Sequence, residues 1–125
     1  MGEAQAKVLR RIFLLQGAYF IITGIWPVLG MESFLLATGP KQDTWLVEMV
    51  GLLSASIGLT YIVAALRNGR LPFVLGYAAA VSFLFMDVVY VAKDVIARVY
   101  LIDAFVQLAF IASVSFFMFI KKSGR

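Results

Sequence analysis

Cysteine and histidine are both missing from this chain of 125 residues. Without cysteine there is no disulfide, no thiolate metal site and no thiol nucleophile. Without histidine the commonest general base and the commonest metal ligand are gone as well. A carboxylate-only metal site is all that remains for a metal, and no residue is assigned to one. Acids are scarce too, at seven, against eleven Lys and Arg. No phosphate-binding glycine loop and no nucleophile beside an activating base occurs, so no residue is assigned a catalytic role. No cofactor is expected.

What the chain has instead is apolar surface. Hydrophobic residues make up 62% of it, and the mean hydropathy is +0.94. A soluble domain is about half apolar. A membrane-spanning helix needs about 20 mostly apolar residues, and four stretches qualify, near 8–29, 44–66, 72–93 and 99–120. The expected fold is all-α, a single four-helix transmembrane bundle whose first partner is the lipid bilayer. The first stretch has a longer apolar run than a signal peptide and no small-residue cleavage site after it, so it reads as a retained helix.

The distribution of charge predicts orientation. Lys7, Arg10, Arg11, Arg67, Arg70, Lys121, Lys122 and Arg125 fall on one side, and only Lys41, Lys93 and Arg98 on the other. By the positive-inside rule both termini are cytoplasmic, and a bacterial cytoplasmic membrane is the expected location. The basic residues sit at the ends of apolar runs, not along one solvated face, so the net charge of +4 sets topology and does not indicate nucleic acid. The bias also disfavours dual topology, and with it a likeness to small multidrug transporters. The first span lacks their embedded glutamate, and its strongly polar mid-span residue is Gln16.

The acids are distributed differently. Glu3 lies on the inner side, while Glu32, Asp43, Glu48, Asp87, Asp94 and Asp103 fall in the outer third. Helical spacing groups Gln16 with Phe20, Thr23 and Pro27, and Glu48 with Gly51, Ser54, Ala55 and Gly58. It groups Asp87 with Gly76, Ala80, Phe83 and Asp94, and Asp103 with Gln107 and Phe110. Small residues let helices approach closely, so these faces are expected inside the bundle. The expectation is an outward-facing acidic pocket, closed below by Phe20, Phe83 and Phe110.

Structural readings stand beside this one. Asp43 suits the N-cap of the second span. Glu48 and Asp103 suit the positive start of a helix. Asp94 and Arg98 are spaced to pair. Asp87 has no such account, because it lies about 7 Å below the interface near a helix C-terminus, where the dipole opposes it. Its expected partners are Lys41, Lys93 or Arg98 when charged, or a neighbouring acid when a proton is shared. Trp26, Trp45, Tyr90 and Tyr100 suit an interfacial aromatic belt, with the alternative that some of them, with Phe34, wall the pocket. The candidate ligand-binding residues are therefore Asp87, Glu48, Asp103, Gln107, Tyr90, Trp45 and Gln16.

The first outer connection contains "MESFLLAT", which is expected to form a short interfacial helix over the pocket, with "TGPKQD" as the turn that follows. The surrounding stretch "WPVLGMESFLLATGPKQDTWLVEMVG", Trp26–Gly51, resembles a segment of small bacterial four-span membrane proteins of no assigned activity. The resemblance covers about a fifth of the chain and implies no function. A sterol-isomerase-like fold also places acids in a membrane cavity, but no motif of that group occurs. The expected function is a non-enzymatic membrane protein binding a small amphiphile, lipid or cation, or serving as an accessory subunit in a homo-oligomer or with a membrane partner. The alternatives are an acid/base enzyme on a lipid-like substrate and a proton- or cation-coupled transporter.

Overall fold

The structure, a computed structural model, describes residues 2–120. Lys121, Lys122 and Arg125, which contribute to the charge bias, lie outside the described residues. The elements are α1 (Glu3–Leu29), α2 (Met31–Thr38), α3 (Thr44–Leu66), α4 (Phe73–Ala92) and α5 (Tyr100–Ser115), the last continuing as a π-helical segment, Phe116–Ile120. The four long helices are the four expected spans. Each is long and apolar enough to cross a membrane, and by that length and composition this is a multi-pass helical membrane protein. Helix is what such sequences must form, because lipid offers no partner for an open backbone N–H or carbonyl.

The breaks between helices have local causes. Gly30 separates α1 from α2, and Gly39 ends α2 at a φ of 96° before Pro40. Asp43 occupies the N-cap position of α3 as expected, but its side chain makes no capping hydrogen bond. Asn68 ends the α3 path at a φ of 52°, and the following Gly69 N–H returns to the Ala64 carbonyl. Asparagine is among the few side chains that tolerate this left-handed geometry. Asn68→Gly is therefore expected to leave thermal stability unchanged or slightly raised. Asn68→Val should lower it by about 1–2 kcal/mol, read as a shifted unfolding midpoint in detergent.

Packing is uneven around the bundle. α1 and α3 run antiparallel in close contact, with Gly17 against Gly58 and Gly24 against Gly51. Each pair is seven residues apart on its helix, two turns, so both contacts fall on one face. A Cβ on any of the four would run into the opposing glycine's carbonyl oxygen. The small face expected on α3 is thus confirmed as a packing face, and its partner is the glycine pair of α1. α4 and α5 form a second antiparallel pair.

An aromatic layer joins the two pairs. Phe13 is fully buried and meets Tyr61 of α3, Phe73 of α4 and Phe110 of α5 edge-on, at centroid distances of 5.0, 5.6 and 5.3 Å. Gly76 makes room for this cluster, since a Cβ there would fall 3.1 Å from Phe13 and 3.3 Å from Phe110. Near the chain ends, Gln5 donates to the Phe117 carbonyl and ties α1 to the π-helical segment. Arg10 donates to the carbonyls of Ala64 and Gly69 at 3.1 and 3.0 Å. That places a cation at the C-terminal end of α3, where the helix dipole favours it.

Candidate functional site

A polar layer follows the aromatic one, one turn further along α1 toward the α2 end of the bundle. Its residues come from three helices. Gln16 Nε2 donates to Gln107 Oε1 at 2.8 Å. Gln107 Nε2 in turn donates to Asp103 Oδ1 at 3.2 Å. The Tyr19 hydroxyl donates to the same Oδ1 at 2.5 Å. Gln107 is 0% exposed and Gln16 4%. Two buried amides, a phenol and a carboxyl thus form a continuous chain between α1 and α5.

Asp87 of α4 completes the layer and differs from every other member. It is only 5% exposed, and the Asp103 carboxyl of α5 is its neighbour. Its Oδ2 is buried and has no hydrogen-bond partner among the described residues. The two acids have opposite settings. Asp103 stands in the first turn of α5 and accepts two donors, at the helix end that favours negative charge. Asp87 stands five residues before the end of α4, where the dipole opposes a carboxylate. An ionised carboxylate accepts hydrogen bonds only, so a direct bond between the two acids needs a proton on one of them.

The spacing arguments for α1, α4 and α5 agree with the structure. Gln16, Phe20 and Pro27 are buried together on α1, Gly76, Ala80 and Asp87 on α4, and Gln107 and Phe110 on α5. Phe20 and Phe83 pack at a centroid distance of 5.3 Å, and Phe110 lies in the aromatic layer.

Five expectations are corrected. Glu48 is exposed and does not face the interior. Helix α3 presses Gly51 and Gly58 so tightly onto α1 that a long side chain one turn away is directed outward. Trp45 is 59% exposed and stands apart from the polar layer, as an interfacial belt residue would. Tyr90 is half-buried, and its ring carries the Lys93 ammonium at 5.4 Å. It joins none of the hydrogen bonds of the polar layer. The cations proposed as partners for Asp87 are engaged elsewhere or exposed: Lys41 binds the Thr38 and Gly39 carbonyls and rests between the Phe34 and Tyr100 rings, and Arg98 is exposed.

Asp94 is the fifth correction. It lies beyond the end of α4 at a φ of 61°, so it shares neither the Asp87 face nor a helical register with Arg98. The register argument fails because α4 stops at Ala92.

Tyr19 was not singled out by the sequence, although its position three residues after Gln16 places it on the same stretch of helix face. The short helix α2 forms where expected and packs along α1. The segment after it reaches α5 through Lys41 and Tyr100. Among the described residues, no group of three or more acids gathers as metal ligands.

A cavity of about 380 Å³ lies away from this layer, between α3 and α4. It is lined by Ile57, Leu75, Ala78, Ala79, Ser82, Phe83 and Met86, and contains none of the candidate acids. With Asp87 of α4 and Asp103 of α5 side by side, and Glu48 turned away, the site is a paired-carboxyl centre within a helical membrane bundle. The chain matches no protein-family model, no curated protein and no solved structure.

Proposed function

We propose that this protein is a non-enzymatic membrane protein that holds a small amphiphile or cation at Asp87 and Asp103. One observation carries the reading. The Asp87 Oδ2 is a buried acceptor without a donor, and such an atom costs about 1–3 kcal/mol, more if charged. Intramembrane acids mark functional sites by default. A ligand offering an ammonium or another N–H or O–H donor supplies what Oδ2 lacks. Tyr19, Gln107 and Gln16 fix Asp103 opposite it. Both termini are proposed to be cytoplasmic, in a bacterial cytoplasmic membrane, on the strength of the Lys and Arg bias. The acids then lie near the outer surface, shallower than the midplane position of transporter sites.

The test is Asp87→Asn in neutral detergent, titrated with dodecylammonium. Loss of a charge-assisted hydrogen bond predicts binding weaker by about tenfold to a hundredfold, with unfolding stability held within about 1 kcal/mol. Equal binding by both proteins would remove the assignment. A second reading is favoured by the Tyr19–Asp103 hydrogen bond beside Asp87, which is an acid/base arrangement. Turnover of a lipid-like substrate that Asp87→Asn abolishes without a change in affinity would select it.

A further inference from the structure

The cavity between α3 and α4 is a groove with a specific composition. Ala78 and Ser82 are one turn apart on α4 and leave a shallow strip. Ile57, Leu75, Phe83 and Met86 border it. The Ser82 hydroxyl, the polar side-chain group on this wall, already donates to the Ala78 carbonyl at 2.7 Å. Nothing in the groove therefore calls for a polar occupant. From Leu75 to Met86 is eleven residues, about 16 Å of helix rise. One leaflet of hydrocarbon is about 15 Å thick.

The groove begins beside the turn that joins α3 to α4. That turn carries Arg67 and Arg70, both exposed, and Arg10 is hydrogen-bonded to its Gly69 carbonyl. Arg67 and Arg70 thus stand on the turn that leads into the helix lining the groove, and Arg10 is bound to the same turn. Basic sites between membrane helices select anionic lipid head groups. We propose that this groove binds an anionic phospholipid, with one acyl chain along Ala78 and Ser82 and the phosphate on Arg67 and Arg70. Charge complementarity at the turn and the lateral position of the groove in the membrane-spanning region favour a lipid over a second copy of the chain.

Native mass spectrometry of the detergent-solubilised protein tests it, with phosphatidylglycerol and phosphatidylcholine of the same chains. The wild type should bind phosphatidylglycerol more tightly. Arg67→Ala combined with Arg70→Ala should weaken phosphatidylglycerol by about 30-fold and erase the preference. Arg67→Lys with Arg70→Lys should retain most of it, and Ala78→Phe should reduce binding of both lipids by filling the strip. If Ala78→Phe yields no folded protein, Ser82→Leu serves in its place. An unchanged preference in the double alanine variant overturns the proposal. So does lipid binding unaffected by the filled groove, displacement of the lipid by glycerol phosphate, or a dimer in which lipid binding is lost.

Discussion

Gly24→Ala is expected to be among the most damaging single-methyl changes in this protein, lowering unfolding stability by about 3 kcal/mol, the top of the range for overpacked cores. The added carbon points at the Gly51 carbonyl oxygen and the Ala55 backbone nitrogen. Neither is the end of a flexible side chain, so the strain cannot be relieved by a rotamer change. α1 and α3 must move apart along their length, and the Gly17–Gly58 contact two turns away opens with them. In lipid this contact matters more than it would in water, because close packing replaces the hydrophobic effect as the force holding helices together. Gly69→Ala is the control, since its nearest neighbour would sit 3.6 Å from the new carbon, an ordinary contact. Equilibrium unfolding in mixed micelles measures both. Equal stability of Gly24→Ala and wild type would show that the two helices are not held by this glycine face.

The second large effect is a pair of opposite signs within one layer. Gln107→Leu should destabilise by about 1–2 kcal/mol. It removes both the acceptor for buried Gln16 and a donor to Asp103, leaving two polar groups short of partners. Asp87→Leu should stabilise by about 2–3 kcal/mol, because a carboxyl at this depth is unfavourable and its Oδ2 makes no compensating bond. Both residues are buried and polar, and both substitutions give leucine. Only the state of their hydrogen bonds differs. The same unfolding measurement checks the two variants side by side. If Asp87→Leu is less stable than wild type, then Asp87 is a structural partner, and the site assignment falls with it. A gain in stability on its removal is what a residue kept for binding, not for folding, would give.

The two predictions also separate two kinds of legibility. The spans, the short helix "MESFLLAT" and the inward faces of α1, α4 and α5 were readable from hydropathy and helical spacing. Residues three or four apart share a face whatever surrounds them. Asp87, Asp103, Gln107 and Gln16 were therefore identifiable as an interior group. Glu48 followed the same spacing rule and turned out exposed, because spacing ranks residues around a helix but does not say how wide the buried strip is. The glycine contact with α1 makes that strip narrow. Asp94 failed for a simpler reason, in that the helix ended two residues earlier than its register required.

Sequence alone determined that four apolar segments must be helices, since a backbone crossing lipid has to satisfy its own hydrogen bonds. It also determined where the scarce charges fall along those segments. Tertiary structure alone decided which helices touch, that Tyr19 and not Glu48 joins the acids, and that one carboxyl oxygen is left without a donor. Those outcomes depend on groups from α1 and α5 meeting at distances of about 3 Å, with Asp87 of α4 buried beside them, and no periodicity within a single helix encodes its rotation against its neighbours.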